Sequence, residues 1–263
     1  MNSNFERRDF LKQAGAASLA MTAASYSKVL GANDRVRLGI IGPGARGQEL
    51  MGSFNNANAN AEFVACADVY KARFDQAAKL APGIKPFGDH RKLLEQKDVD
   101  AVIVATPLHT HARHFLDTLA AGKDLYAEKT LTWSIEEAEA CLAAAKKATS
   151  RVIGVGQQHN SAGYFQDARQ WTKDGLLGKV SSVEAWMSRN SKHGVGQWVR
   201  PVPSDCNTAN VDWKAFLNGR PNREFDGNKF INWRLYWEFS GGNVTENMVH
   251  QIGWIIGVLE LGV

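Results

Sequence analysis

The chain reads as an α/β protein, a doubly wound parallel sheet followed by a second half of different composition. Three observations predict this. Short apolar runs alternate with helical stretches through the first 155 residues, a glycine-rich turn closes the first run, and the composition shifts beyond Arg151. The overall balance is globular: 263 residues, 44% hydrophobic and 22% charged, with 24 Gly and 7 Pro. A chain of this length can bury a core without covalent staples. The formal charge is +4, but residues 1–32 hold Arg7, Arg8, Lys12 and Lys28 against Glu6 and Asp9, leaving 27 basic against 25 acidic residues in the remainder. So even a balance gives no support for a nucleic-acid or polybasic membrane partner. Cys66, Cys141 and Cys206 form neither an even framework nor a CxxC pair, which excludes a disulfide scaffold and a zinc ribbon.

Taken in order, the first segment is an address. Asn4 to Lys12 (NFERRDFLK) has the paired arginines and x-Phe-Leu-Lys of a twin-arginine export signal, with Glu6 where Ser or Thr is usual. The weakly apolar run from Ala14 to Ala24 is too short and too Ala/Gly/Thr-rich for a membrane span. Residues 1–32 are therefore expected to be a leader, and the chain to be periplasmic or otherwise exported.

Val36–Ile41 has the pattern of a buried parallel strand and ends in Gly42-Pro43-Gly44-Ala45-Arg46-Gly47, followed by a helix to about Asn55. Phe63–Ala67 is a second buried strand, ending in Asp68, 21 residues beyond Gly47. Strand, G-x-G-x-x-G, helix, strand and acid together form the dinucleotide fingerprint of a Rossmann domain. Gly42 permits the tight turn, Gly44 lets backbone N–H groups near a pyrophosphate, and Gly47 allows close helix–strand packing. Ala45 and Arg46 complete the turn, and Asp68 can accept hydrogen bonds from a ribose. The charge of Asp68 favours NAD, while Lys71 and Arg73 nearby keep NADP open. Helices are expected over 71–80, 89–95, 111–121 and 135–149, with strands at 101–105, 125–127 and 152–155. Ligands then belong at the carboxyl ends of the strands, where Thr106-Pro107 with His111 and Glu128-Lys129-Thr130 fall.

These pieces resemble the glucose–fructose oxidoreductase/inositol dehydrogenase (Gfo/Idh/MocA) family over roughly residues 35–263. The family pattern is a glycine-rich turn, T-P-x-x-x-H, E-K-P and G-G-x-x-x-D-x-x-x-H. Here it reads Thr106-Pro107 to His111, Glu128-Lys129-Thr130, and Gly241-Gly242 to Glu246 and His250. Asn232-Trp233-Arg234 and Trp237 resemble exported bacterial members. Thr130 replaces the proline, Glu246 the aspartate, and Gly253 stands where a second Asp is common.

The resemblance implies hydride transfer between a nicotinamide and a sugar, polyol or related hydroxyl-bearing substrate. Alcohol oxidation needs a base, a positive group for the developing alkoxide and a hydride acceptor. His250 would be the base, with Glu246 one helical turn earlier to orient it. Lys129 would hold the reacting oxygen, and Thr106, Pro107 and His111 would line the nicotinamide side. A redox-neutral, NAD-dependent glycosidase or lyase would use the same residues, and a catalytically impaired cofactor-binding relative would explain the three departures. His109, His114 and His159 lack a partner pattern, and no ligand set for a metal is present.

The domain boundaries read as 33–155 for the nucleotide domain and 156–263 for a partial substrate and oligomerisation domain. Seven of the eight tryptophans lie in that second part. A helix is expected over 162–174 and a strand over 180–187, followed by a long loop at 188–210 suited to binding or assembly. Trp233 and Arg234 are the expected substrate contacts, and the full-length form is expected to be a homo-oligomer. The resemblance implies an α+β second half built on a larger open, mainly antiparallel sheet; about 110 residues are few for it, so a C-terminally truncated chain with an exposed sheet edge is expected.

Overall fold

A computed structural model of the chain describes residues 35–57, 60–187 and 196–261. The leader expected over 1–32 and part of the long loop, 188–195, lie outside the described residues. Six strands form one parallel sheet in the order β3-β2-β1-β4-β5-β6. They are β1 (Val36–Ile41), β2 (Ala61–Ala67), β3 (Lys85–Phe87), β4 (Ala101–Val104), β5 (Asp124–Glu128) and β6 (Ile153–Gly156). This is the doubly wound order, with the switch of direction beside β1.

The strands form because their side chains are apolar on both faces. Ile40, Cys66 and Ile103 pack with Met51 and Ala77 on one side, while Ile41, Val102 and Val104 pack with Ala112, Phe115 and Cys141 on the other. The register aligns Ile41 with Ala67 and Val104, and Val104 with Ala127, so four strands end on one line. That edge carries the site.

The crossover helices are α1 (Ala45–Asn56), α2 (Ala72–Leu80), α3 (His90–Leu94), α4 (Leu108–Ala120) and α5 (Ile135–Lys147). Helix α5 has complete end signals. Ser134 accepts from the Glu137 N–H, Glu137 accepts from the Trp133 N–H, and Lys146 and Lys147 sit in the last turn. Caps of this kind contribute about 1 kcal/mol. Helix α4 starts three residues earlier than expected, directly after Pro107, whose fixed φ suits a helix entry. Strand β3, absent from the sequence expectation, is a short edge strand paired with Ala65–Ala67.

Beyond Gly156 the described residues form no second sheet; an isolated bridge joins Tyr70 to Val211. The open, mainly antiparallel sheet expected for this half has no ladder among the described residues. Residues 180–187, with strand-like alternation, run without a ladder partner and are exposed. Alternation alone does not make a strand where no neighbour meets its N–H and C=O groups. The longer regular elements there are helices: α6 (Gly163–Lys173), α7 (Trp213–Leu217), α8 (Gly227–Ile231), a π-helical turn (Val244–Met248) and α9 (Val249–Val258). An aromatic cluster of Trp213, Phe216, Phe230 and Phe239 closes around Tyr70 and so ties residues 206–239 to the end of β2. Trp213 stacks on Phe216 at 5.1 Å, a packing role rather than a ligand-facing one. No helix among the described residues is long and apolar enough to cross a membrane.

Candidate active site

A cavity of about 730 Å³ runs along the carboxyl ends of the strands. The glycine turn, Asp68, Thr106, Pro107, His111, Glu128, Lys129, Trp233, Arg234, Glu246 and His250 all line it, so residues spread over two hundred positions share one space.

The glycine turn is shaped by backbone contacts. Gly42 has φ +85, and a Cβ there would lie 2.9 Å from the Ala105 backbone. A Cβ on Gly47 would lie 2.4 Å from the Gly42 carbonyl oxygen, so helix α1 sits on the strand end more closely than any side chain allows. A Cβ on Gly44 would meet nothing within 4 Å. Gly44 caps α1 without a side-chain hydrogen bond, and the first turn of that helix holds no acidic residue. Its leading N–H groups are available to an anion on the cavity side. This chemistry fits the pyrophosphate of a dinucleotide, with Gly44, Ala45 and Arg46 placed to hold it.

Asp68 follows β2 and accepts a hydrogen bond from the Tyr70 N–H at 2.9 Å. Burial raises its pKa to about 6, against the lowering effect of that bond and of Arg73. Lys71 turns away to the Ala209 carbonyl, whereas Arg73 lines the cavity and is held by Gln76. The residues present therefore fit an adenosine ribose at Asp68.

Arg46 donates to Glu128 at 2.8 Å, joining the glycine turn to the end of β5. The Glu128 side chain is 6% exposed, so its charge has little solvent to rely on apart from this partner. His111 is buried, and its two ring nitrogens lie 2.7 Å from the Thr106 carbonyl and 2.6 Å from the Thr130 carbonyl. It ties the loops after β4 and β5 together. Burial lowers its pKa, and the two carbonyls oppose that effect by favouring the protonated ring.

Lys129 points from the loop after β5 toward the π-helical turn. Its ammonium donates to the Glu246 carbonyl and lies 3.8 Å from the Glu246 carboxylate. Thr130 donates to the neighbouring Thr245 carbonyl, so the residue replacing the family's proline joins the same contact. The Glu246 side chain, 3% exposed, also accepts from Arg234 Nε at 3.4 Å and from Ser240. The sequence pattern assigned Glu246 to His250; the structure shows its carboxylate turned to Arg234 and Lys129, across the cavity corner. The π-helical turn moves this carboxylate off the simple α-helical register. Burial lowers the pKa of both Lys129 and Arg234, and the nearby Glu246 charge works against that. His250 lines the same corner, and its ring stands edge-on to His159 at 5.5 Å.

Other residues at the site carried no sequence signal. Trp198 and Arg200 come from the long loop, and Asn232 holds the Arg200 backbone by hydrogen bonds in both directions, at 2.8 and 3.0 Å. His114 and His90 line the cavity as an edge-to-face pair, with His114 3.2 Å from Thr106 Oγ1 and His90 2.8 Å from Asp117. His109 is buried between Phe216 and Phe239 and bonds the Phe216 carbonyl, a packing role.

Residues 36–157 match the Gfo/Idh/MocA profile, described as an oxidoreductase family with an NAD-binding Rossmann fold. A glycosyl hydrolase family 109 protein of Shewanella sp. strain W3-18-1 is 27% identical over 231 residues, covering 74% of this chain and 50% of its own. An inositol 2-dehydrogenase of Paracoccus denitrificans is 33% identical over 122 residues, covering 46% of this chain and 36% of its own. The chain thus spans about half the length, or less, of the curated relatives it matches. Among solved structures, myo-inositol dehydrogenase from Lactobacillus casei in complex with NAD(H) and myo-inositol superposes with TM-score 0.52 at 26% identity, over 55% of this chain and 43% of that one. The WlbA dehydrogenase from Bordetella pertussis shares the fold at TM-score 0.61 and 19% identity, over 86% of this chain and 56% of that one.

Proposed function

We propose that residues 36–157, which match the Gfo/Idh/MocA oxidoreductase profile, are the NAD-binding Rossmann domain of an enzyme of that kind, and that the chain oxidises or reduces a CH–OH carbon of a sugar or polyol. The observation that carries this reading is the single corner where Lys129, Glu246, Arg234 and His250 line the same cavity as the glycine turn and Asp68. Bound NAD supplies the hydride acceptor. The chain's own residues do the rest. His250 takes the hydroxyl proton, and the Lys129 ammonium donates a hydrogen bond to the oxygen as it gains negative charge. Glu246 keeps Lys129 and Arg234 in place, Arg46 with Glu128 sets the distance between the glycine turn and Lys129, and Trp233 with Arg234 borders the substrate. Residues 33–155 serve the cofactor and 156–263 the substrate and assembly into a homo-oligomer. Residues 1–32 direct export by the twin-arginine route to a periplasmic or other exported location.

The test is NADH formation by the purified chain across a panel of hexoses, inositols and sugar alcohols. Substrate-dependent NADH absorbance that disappears in Lys129→Met supports the reading; retained NAD binding with no hydride transfer to any panel member counts against it.

A second reading has an observation of its own. The glycosyl hydrolase family 109 relative aligns over 74% of this chain, whereas the inositol dehydrogenase match covers 46% of it. Transient oxidation at one sugar carbon followed by bond cleavage would use the same Lys129 and His250. Release of an aryl leaving group from a glycoside without net NADH favours that chemistry over net oxidation.

A further inference from the structure

The reacting corner carries more positive than negative charge. Lys129 and Arg234 share Glu246 as their ion-pair partner, at 3.8 and 3.4 Å, with the Glu128 carboxylate acting on both from farther away. Their side chains are 15% and 32% exposed, so solvent screens them only in part. Arg46, the other guanidinium near this corner, is already matched by Glu128 and Glu49. Arg200 adds a further positive charge, close enough to depress the Arg234 pKa, and Asn232 fixes its backbone there. Among the described residues Arg234 spends Nε on Glu246 and leaves the two Nη groups of its fork unspent. The guanidinium is held flat by Trp233 at 4.3 Å and Trp198 at 5.6 Å, so little side-chain freedom remains to be lost on binding.

We propose that the substrate is a sugar acid, whose carboxylate binds the unspent Nη edge of Arg234, beside Trp198 and Trp233 and within the field of Arg200. This rests on the oxidoreductase reading above and names its substrate class. A planar guanidinium with two parallel N–H donors matches a carboxylate bidentately, and charge-assisted pairs are about twice as strong as neutral ones. A neutral polyol would leave the excess charge of the corner uncompensated. The helix α1 N-terminus, the other anion-binding feature of the cavity, belongs to the glycine turn and is occupied in this reading by the dinucleotide.

Calorimetric titration of the NAD-loaded full chain with glucuronate and galacturonate, each beside its neutral parent sugar and beside acetate at equal ionic strength, tests the proposal. At least one acid should bind about tenfold or more tightly than its parent, with acetate far weaker than either acid. Arg234→Met should erase that preference with NAD affinity retained, and Arg234→Lys should restore part of it. An arginine that only buttresses Glu246 would weaken acid and neutral sugar alike, and that result overturns the proposal. So does a neutral parent that binds as tightly as its acid. NADH formation from neutral sugars alone would overturn the sugar-acid assignment and leave the oxidoreductase reading standing. Arg234-dependent acid binding with no hydride transfer to any sugar would do the reverse.

Discussion

Arg46 and Glu128 are 82 residues apart in the chain and 2.8 Å apart in space, a bond that locks the glycine turn to the strand end presenting Lys129. Glu128→Gln keeps the shape and removes the charge. It should cost about 1–2 kcal/mol, because Arg46 then stays half-buried with only the exposed Glu49 as partner. The exposed pair Lys92–Glu95 is the control, where Glu95→Gln should cost about 0.5 kcal/mol or less. Denaturant melts of the two variants compare the sites directly, and equal losses would refute the buried role.

The two outer features of the glycine turn separate folding from binding. A methyl at Gly47 would press on the Gly42 carbonyl, which is backbone and has no room to move, so Gly47→Ala should lose about 1–3 kcal/mol of stability. A methyl at Gly44 meets no protein atom. Gly44→Ala should therefore melt like the parent chain and still bind NAD more weakly, since the methyl occupies cavity-side space. Thermal melts with and without NAD distinguish the two substitutions.

Asp68 predicts opposite pH trends for folding and for cofactor affinity. Its pKa is raised to about 6 by burial, from 3.8 in the free chain. The unfolded state thus ionises first, and stability falls as pH rises from about 4 to about 6, remaining reduced above that. The loss is on the order of 3 kcal/mol. NAD affinity should rise over the same upper range, by about three- to tenfold between pH 5 and 7, because the ionised carboxylate is the better acceptor for ribose hydroxyls. Asp68→Asn should flatten both curves; a stability profile unchanged by that substitution would show that another group is responsible.

Lys129 and Glu246 act as a unit. Lys129→Met should reduce turnover by about 10²- to 10⁴-fold with NAD binding intact. Glu246→Gln removes the charge that opposes the burial-induced lowering of the Lys129 pKa, so Lys129 should lose its proton at lower pH. The alkaline limb of the kcat/KM profile should move down accordingly. An unchanged limb would mean that the Lys129 ammonium does not govern activity at high pH.

His111 is a fold-level tie rather than a reactive group. His111→Ala leaves the Thr106 and Thr130 carbonyls without their ring partner in a buried setting and opens a cavity, at a cost of about 2–4 kcal/mol. A melt within about 0.5 kcal/mol of the parent would contradict that role.

The parallel sheet, the glycine turn and Asp68 were legible in the sequence because each has a local signal: apolar runs bury strands on both faces, Gly42 takes a positive φ in the turn, and Gly47 answers the Gly42 carbonyl five residues before it. The Thr106–His111 and Glu128–Lys129 strand ends were legible through spacing and family resemblance for the same reason. Alternation misled at 180–187, since a strand exists only where a neighbouring ladder meets it. The carboxylate of Glu246 was assigned to His250 by helical spacing, yet it faces Lys129 and Arg234, which lie 117 and 12 residues away along the chain. Trp198 and Arg200 had no motif at all and reach the cavity only because the buried Asn232 clamps their loop. The amino-acid sequence alone determined the nucleotide-binding half, whose signals in the sequence are local and periodic. Tertiary structure alone decided which charges share the reacting corner, because buried ion pairs are chosen by proximity in space and low solvent screening, neither of which is written in sequence spacing.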